Sequence, residues 1–331
     1  MDSPPAEHHP HHNKKNWLLI AVCALIGFNV LLGILVSVDL WQERENEVMP
    51  STKFSLLRPD IAKLSNDDFS SAQRSLYYKP LRESYDSIVD NQTNIGIYFE
   101  DLTSGSWVGV NERQKFVGAS LLKTQLAATV LKKVEDGTLS LQDEIVLQPN
   151  DLDDKFGLLA QSGMGYRTTV GAITQTMLQE SDNTAANALA DITTPEEWIE
   201  TRLTMGLPLP DFENQQTLVS PKEYSNIFRT LYLSTYLTRE HSQYILSLLS
   251  DTPFNDQIVA GVPEGITVAH KIGVRSEGDA VTKEFHDCGI VYAGRTPYML
   301  CVMVEGISQE KATQIISTVS ETTYQFVAQQ N

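Results

Sequence analysis

The stretch that decides the fold is Phe116-Val117-Gly118-Ala119-Ser120-Leu121-Leu122-Lys123, which continues as Thr124-Gln125-Leu126-Ala127-Ala128-Thr129-Val130-Leu131. Its second half is rich in alanine and leucine and has no glycine or proline, which predicts a buried helix. Ser120 and Lys123 would share one face near the start of that helix, about one turn apart. A lysine so placed can take a serine's proton when burial or a nearby cation lowers its pKa. By itself this tetrad is also typical of a capping serine beside a solvated lysine.

Composition and charge exclude several classes of protein. The 331 residues carry a formal net charge of -17, which argues against a nucleic-acid partner because such partners favour a basic face. The chain has only three cysteines and no CxxC pair, so neither a disulfide scaffold nor a paired-cysteine metal site is expected. Cys23 lies in an apolar segment, which leaves Cys288 and Cys301 either as a cross-strand disulfide or as two small core residues. We expect no metal and no organic cofactor.

The N-terminal region predicts a membrane anchor. Residues 1–16 are rich in proline and histidine and predict a disordered tail. Residues 17–38 are almost wholly apolar, close to the about 20 residues that span a bilayer as a helix. Lys14 and Lys15 precede this segment and acids follow it, so the positive-inside rule predicts a cytoplasmic N-terminus. The length of the run and the lack of a small-x-small site favour an uncleaved anchor over a signal peptide. We therefore expect a single-pass protein of the cell membrane, with its folded part extracytoplasmic.

The remaining chain predicts a stalk and one folded domain. Residues 39–80 are polar without clear periodicity and predict a stalk or linker, and residues 81–331 predict the domain. Strand patterns predict one five-stranded antiparallel sheet. They lie at residues 95–101, 106–110, 266–272, 285–292 and 298–304. Terminal helices would flank that sheet, and a helical middle, residues 124–250, would form a second lobe.

Two further motifs follow the first one along the chain. Ser181-Asp182-Asn183 lies between predicted helices, where such residues often serve as caps. Lys271-Ile272-Gly273 ends a strand, where a glycine marks a bulge or a close approach to a ligand. Ser-x-x-Lys, Ser-Asp-Asn and Lys-x-Gly in this order form the set found in class A β-lactamases and penicillin-binding proteins. The chain resembles the class A β-lactamase-related serine hydrolases of the penicillin-recognising superfamily over roughly residues 80–328. The resemblance implies a β-lactamase/DD-peptidase-like α/β (α+β) fold.

The resemblance also implies a role for each motif residue. Ser120 would attack the carbonyl of a β-lactam or a D-amino-acid peptide and form an acyl-enzyme. Lys123 would be the adjacent base, or the partner that orients one. Ser181 would pass a proton to the leaving nitrogen, Asp182 would hold the loop, and Asn183 would bind the substrate's amide group.

The third motif would form the opposite wall of the cleft. By the same resemblance, Lys271 would supply positive charge that attracts a substrate carboxylate, and Gly273 would lie on the substrate-binding strand. The oxyanion hole would combine the backbone N–H of the nucleophile with one from the strand after Lys-x-Gly. We expect that second donor near Arg275 or Ser276.

The chain departs from the family pattern at two places. Efficient β-lactamases have Thr or Ser between the Lys and Gly of the third motif, whereas this chain has Ile272, and a lost donor costs about 1–3 kcal/mol. They also carry a glutamate on a long Ω-shaped loop that activates the deacylating water. Here the matching stretch, residues 205–220, is shortened, and Glu213 is its only glutamate. Glu213 is a candidate deacylation base, although a solvated loop residue is the commoner role. Without a positioned base, the acyl-enzyme would persist.

The sequence leaves four interpretations of the function open. The first is a membrane-anchored extracytoplasmic serine hydrolase that acts on β-lactams or related amides. The second is a D-alanyl-D-alanine carboxypeptidase or related peptidoglycan enzyme, for which a membrane position is well suited. The third is an acylated sensor or binding module, which the short N-terminal tail disfavours. The fourth is an inactive relative, which the intact set of motif residues disfavours. We expect a small-molecule or peptidoglycan-derived substrate and a monomeric catalytic domain.

Overall fold

The computed structural model describes residues 54–58, 77–210, 216–275 and 283–329. The chain divides into two units, Met1–Thr52 and Lys53–Asn331, and every described residue lies in the second. The predicted tail and membrane anchor, residues 1–38, therefore lie outside the described residues. Within those ranges, no helix combines the length and the apolar character that crossing a membrane requires.

The described chain alternates strands and helices in an order close to the predicted one. The helices are α1 (Lys79–Val89), α2 (Leu122–Glu135), α3 (Val170–Gln179), α4 (Asn183–Asp191), α5 (Pro195–Thr204), α6 (Pro221–Leu233), α7 (Arg239–Leu249) and α8 (Gln309–Ala328). The strands are β1 (Ile95–Asp101), β2 (Trp107–Val110), β3 (Phe116–Val117), β4 (Glu144–Val146), β5 (Arg167–Thr169), β6 (Leu218–Val219), β7 (Val268–Arg275), β8 (Glu284–Val291) and β9 (Tyr298–Glu305).

The predicted five-stranded sheet is confirmed. Its strand order is β2-β1-β9-β8-β7, and every neighbouring pair is antiparallel. Strand β9, the last strand of the chain, pairs with β1. The N-terminal hairpin β1–β2 and the C-terminal strands β7–β9 therefore form one layer. Strand β7, which carries the third motif, lies at one edge of the sheet.

Each face of the sheet is buried against helices. One face packs on α1 and α8, in a core that includes Tyr85, Phe99 and Phe285. The other face packs on the helical lobe, in a core that includes Met177 and Phe228. This three-layer arrangement is the β-lactamase-like fold that the resemblance implied.

A short piece of the expected stalk packs on the folded domain. Leu56 and Leu57 are buried in the core of the helical lobe. The Leu56 N–H donates to Oε1 of Gln243 at 2.9 Å, and the Tyr292 hydroxyl donates to the Leu56 carbonyl at 2.8 Å. Residues 54–58 therefore differ from the predicted polar stalk, because their two leucines bury apolar surface that the local sequence pattern did not connect to a core.

Two small sheets include strands from the region, residues 124–250, that the sequence predicted as helical: β4, β5 and β6 lie inside it, and β3 lies just before it. Strand β4 pairs with β5, and β3 pairs with β6. The β3–β6 pairing matters for function because it fixes the residues just before Ser120. Phe116 lies opposite Val219, and the Gly118 N–H donates to the Thr217 carbonyl at 2.9 Å. Pairs of two or three residues leave too short a pattern for sequence periodicity to reveal.

The two cysteines of the last hairpin form a disulfide. Cys288 and Cys301 lie directly opposite each other in β8 and β9, and both side chains are buried. Their sulfur atoms are 2.02 Å apart. Of the two alternatives left open by the sequence, the cross-strand bond is therefore the one present.

Candidate active site

Ser120 lies in a tight turn at the start of α2. Residues Ala119–Leu121 form a 3₁₀ turn that leads directly into the helix. Ala119 has a φ of 44°, a left-handed conformation that is uncommon for a residue with a Cβ. The Tyr224 hydroxyl donates to the Leu121 carbonyl at 2.9 Å and fixes the turn from the side of α6. Strained backbone of this kind is often found at functional sites.

Lys123 lies one turn after Ser120 and contacts three oxygen atoms. Its Nζ is 3.0 Å from Ser120 Oγ, 2.6 Å from the Ser181 carbonyl oxygen and 2.6 Å from Asn183 Oδ1. The last two oxygens can only accept hydrogen bonds. A neutral amine has two N–H groups and one lone pair, so both N–H groups are engaged when the amine is neutral. The lone pair then remains for the Ser120 hydroxyl proton.

Burial makes the neutral form of Lys123 accessible. Desolvation lowers the pKa of Lys123 to about 8, although the negative charges of Asp182 and Asp153 act in the opposite direction. At pH 7, roughly a tenth of the population is therefore neutral. Burial therefore lowers the pKa of Lys123 enough for this lysine to take a proton from Ser120, as the first motif requires.

Ser181 faces both lysines of the site. Its φ is 56°, and its side chain is fully buried. This left-handed backbone turns the Ser181 carbonyl toward Lys123 while its Oγ accepts a hydrogen bond from Lys271 Nζ at 2.7 Å. Because Oγ accepts from Lys271, its own proton is free to be donated elsewhere.

Asp182 holds the loop that carries Ser181 and Asn183. It is the N-cap of α4, and its Oδ1 accepts from the Ala185 N–H at 2.8 Å. Its Oδ2 accepts from the Leu159 N–H at 2.9 Å. The Asn183 N–H in turn donates to the Phe156 carbonyl at 2.9 Å. Both oxygens of Asp182 are engaged with backbone, so the residue positions the loop.

Lys271 is buried on the opposite wall of the cleft. Its side chain is 1% exposed, and Nζ donates to Ser181 Oγ and, at 3.2 Å, to the Ile272 carbonyl. Desolvation, followed by the positive charge of Lys123, holds the pKa of Lys271 well below its ordinary value, against the attraction of Asp287. The positive charge of Lys123 therefore disfavours protonation of Lys271, and Ser181 lies between the two lysines.

Gly273 lies where β7 packs on the turn of Ser120. A Cβ atom there would lie 2.8 Å from Leu121 Cγ and 3.0 Å from His286 Cδ2. The register between β7 and β8 continues through Gly273 without interruption. The glycine therefore permits a close approach of the strand to the nucleophile's turn, and it is not a bulge.

The direction of the backbone N–H groups of β7 corrects the expected oxyanion donor. The Tyr292 N–H donates to the Thr267 carbonyl at 2.9 Å, which starts the hydrogen-bonded alternation between β8 and β7. By that alternation, Arg275 points its N–H at Glu284, whereas Val274 points its N–H to the free edge of the sheet. The candidate for the second donor is therefore Val274 rather than Arg275. Ser276 lies outside the described residues.

The two departures from the family pattern have different outcomes. Ile272 is 4% exposed and, by strand alternation, lies on the face of β7 opposite Lys271. Because isoleucine has no hydroxyl, this position cannot donate a hydrogen bond to a substrate. Glu213 lies outside the described residues, and its role as a base stays a prediction. Among the described residues, no carboxylate hydrogen-bonds Ser120.

A cavity of about 420 Å³ opens beside Lys123, on the side of α4 and α5. Apolar or neutral side chains dominate its lining, among them Leu126, Asn187 and Trp198. No carboxylate is found among the described residues that line it. In the whole described part of the chain, no three histidine, cysteine, aspartate or glutamate side chains lie close enough together to hold a metal ion.

Two residues of the site were not predicted from the sequence. Asp153 accepts a hydrogen bond from Asn183 Nδ2 at 3.2 Å, and His286 Nε2 donates to the Val117 carbonyl at 3.0 Å. His286 thereby connects β8 to the strand that precedes Ser120. His286 lies in a strand that the sequence did predict, so its place opposite Gly273 was available from the hairpin register. Asp153 lies in an irregular segment and gave no such signal.

Comparison with known proteins identifies the family of this chain. The model of the beta-lactamase enzyme family matches residues 80–327. The extended-spectrum beta-lactamase PER-1 of Pseudomonas aeruginosa is 26% identical over 280 residues, which cover 78% of this chain and 91% of that protein. The solved structure of PBP-A is 25% identical, with a TM-score of 0.67, and the match covers 76% of this chain and 97% of that one. A PBP-A mutant solved as an acyl-enzyme complex with penicillin G is 23% identical, with the same TM-score and coverage. The chain therefore belongs to the beta-lactamase enzyme family and is a serine hydrolase.

Proposed function

We propose that the protein reacts with β-lactams through an acyl-enzyme on Ser120 and releases the acyl group slowly. The observation that carries this proposal is the arrangement around Lys123 Nζ, where two obligate acceptors leave the lone pair for Ser120 at 3.0 Å. A penicillin acyl-enzyme of a PBP-A mutant, which shares this fold, supports the choice of β-lactam.

The acylation step follows from the contacts of the two serines. Neutral Lys123 takes the proton of Ser120 as Oγ bonds to the carbonyl carbon. The N–H groups of Ser120 and Val274 stabilise the negative oxygen of the tetrahedral intermediate. When the C–N bond breaks, the nitrogen takes the proton of the Ser181 hydroxyl, and an ester on Ser120 remains. Lys271 donates to the Ser181 Oγ at 2.7 Å and so stabilises the negative charge left on that oxygen, which the proton now held by Lys123 balances.

Deacylation needs a base for water, and the described site offers a poor one. The cavity beside Lys123 has no carboxylate among its described lining residues. Asp182 has both oxygens bonded to backbone N–H groups, and Asp153 contacts Asn183 rather than Ser120. Hydrolysis of the ester would therefore depend on Lys123 or on the predicted base Glu213, and slow release is expected.

A D-alanyl-D-alanine carboxypeptidase is the second candidate function. The same lack of a positioned carboxylate favours it, because a peptide ester need only be released at the modest rate of a cell-wall enzyme. The readout that separates it from a β-lactamase is release of D-alanine from a peptide ending in D-Ala-D-Ala, with penicillins as persistent inhibitors.

The proposed location is the outer side of the cell membrane. The apolar segment at residues 17–38 and its flanking charges support a single anchor with an extracytoplasmic domain. The Cys288–Cys301 disulfide is consistent with an oxidising compartment. A C-terminal alkaline phosphatase fusion should be active in cells, and an inactive fusion in a protein that is present in full would contradict this orientation.

Burst kinetics of the full chain with a chromogenic cephalosporin test the proposed function. We expect a burst of one equivalent of product, followed by a slow steady state, because acylation outpaces release. The Ser120→Ala variant should show neither phase. Fast linear hydrolysis without a burst would contradict slow release, and equal behaviour of the variant would contradict Ser120 as the nucleophile.

A further inference from the structure

Asp153 is a carboxylate at the substrate-binding end of Asn183. Its Oδ1 accepts from Asn183 Nδ2 at 3.2 Å and from the Lys155 N–H at 2.9 Å. Its backbone is tied to the start of α4, since the Asp153 N–H donates to Thr184 Oγ1 at 3.0 Å and the Thr184 hydroxyl donates back to the Asp153 carbonyl. The side chain is therefore held beside Asn183.

Asp153 keeps one oxygen available. Within the described residues, Oδ2 accepts no hydrogen bond, and the side chain is half-buried rather than enclosed. Asp182, by contrast, is fully buried and uses both of its oxygens on backbone. Asp154 is exposed, and no contact to Asn183 is present. Asp153 is thus the described carboxylate that combines contact with Asn183 and partial access to solvent.

The position of Asp153 relative to a substrate follows from the proposed function. Asn183 Oδ1 is engaged with Lys123, and one hydrogen of its Nδ2 is engaged with Asp153. The second hydrogen of Nδ2 remains for the amide carbonyl of the acyl donor. A group attached next to that amide then lies within the field of the Asp153 carboxylate.

We propose that Asp153 selects acyl donors that carry a primary ammonium group beside the amide bound by Asn183. This inference rests on the proposed function. An ammonium there gains a charge-assisted hydrogen bond to Oδ2, whereas a carboxylate is repelled. The substrate class is therefore an amide or peptide with a free amine on its acyl side.

Three penicillins that differ in the charge at this position provide the test. Benzylpenicillin is neutral beside its side-chain amide, ampicillin has an ammonium there, and carbenicillin has a carboxylate. We expect the full chain to be acylated by ampicillin roughly tenfold faster than by carbenicillin at equal concentration, since each partly exposed charge contact is worth a few-fold. Asp153→Asn should bring that ratio close to one.

Asp154→Asn is the matched control, because it removes the same charge from the adjacent, exposed position. Asp154→Asn should keep the rate ratio of the unmodified protein. An equal fall of the ratio in both variants would contradict a specific role of Asp153, because general surface charge would then explain the preference. Added salt should also shrink the ratio in the unmodified chain, which tests the inference even if Asp153→Asn does not fold. A ratio near one in the unmodified chain, with benzylpenicillin still acylating, overturns this inference alone. Failure of all three penicillins overturns the proposed function as well.

Discussion

At the scale of single residues, the site depends on two lysines whose charges are costly. Lys123 is 7% exposed and Lys271 is 1% exposed, and neither forms a salt bridge within the described residues. A buried, unpaired ammonium tends to lose its proton. Here that tendency supplies a base next to Ser120 and a hydrogen-bond partner for Ser181. Removal of the two lysines from water is therefore both what makes their charged forms costly and what makes them chemically useful.

The pH dependence of acylation is the residue-scale prediction. The pKa of Lys123 is lowered to about 8 from its ordinary 10.5, so the neutral base becomes more abundant as the pH rises toward that value. The second-order rate of acylation by benzylpenicillin should rise about tenfold per pH unit below about pH 7 and level off above about pH 9. Lys123→Arg, which stays protonated, should abolish the rise. A rate that is flat over this range, or that keeps rising to about pH 10, would contradict the assignment.

Some site residues could be predicted from the sequence and others could not. Ser120 and Lys123 have a fixed helical spacing, and Ser181 and Lys271 follow in the family's order, so short motifs were sufficient. Val274 required the hydrogen-bond alternation of an observed strand pair. Asp153 required the path of an irregular loop. Contacts made through tertiary structure leave no trace in local spacing.

At the scale of elements, three connections hold the cleft in shape. The turn of Ser120 is tied to β3, the Ser181 loop is capped by Asp182, and β7 packs on the turn through Gly273. These connections depend on the left-handed backbone of Ala119 and Ser181 and on the missing Cβ of Gly273. Gly157 is the least tolerant position of this kind, with a φ of 94° and a would-be Cβ only 2.0 Å from Asp182 Oδ2.

Gly157→Ala is the element-scale prediction. The new methyl group would displace the Asp182 carboxylate, which would lose the Leu159 contact, and it would add left-handed strain of about 1–3 kcal/mol. Gly163→Ala is the matched control, because Gly163 has a φ of 75° and open space around its Cα. Urea unfolding should show a larger loss of stability for Gly157→Ala, together with slower acylation. Equal losses in the two variants would contradict a specific role of Asp182 in holding the loop.

The long elements were predicted well and the short ones were not. The boundaries of β1 agree with the sequence pattern at 95–101, and β9 ends one residue beyond the pattern at 298–304. Such segments repeat their period often enough for the pattern to be recognised. Strands β3 to β6 contain two or three residues each, and their pairing depends on neighbours distant in sequence.

At the scale of the whole molecule, the sheet connects the two ends of the folded domain. Strand β9 pairs with β1 on one side and with β8 on the other, so the C-terminal hairpin forms the centre of the sheet. The Cys288–Cys301 bond crosses this hairpin, between residues 13 positions apart. The sequence predicted the sheet and the facing cysteines from strand patterns and hairpin symmetry. It could not decide whether they are bonded, because burial and disulfide formation both favour cysteine there.

Reduction of the disulfide is the whole-molecule prediction. Closing a loop of this size restricts the unfolded chain, so reduction should lower the free energy of unfolding by roughly 2–4 kcal/mol. Urea unfolding of the full chain with and without a reductant measures the difference. The double variant Cys288→Ala and Cys301→Ala should be insensitive to the reductant. An unmodified chain whose unfolding midpoint does not respond to the reductant would contradict a stabilising role of the bond.

The central claim, that Ser120 is a nucleophile activated by Lys123, is tested most directly by locating the acyl group. The full chain is mixed with benzylpenicillin, quenched in acid, digested and analysed by mass spectrometry. We predict one penicilloyl group per chain, on the peptide that contains Ser120, and none in the Ser120→Ala and Lys123→Ala variants. A penicilloyl group on another residue, or unchanged labelling of Lys123→Ala, would contradict the account.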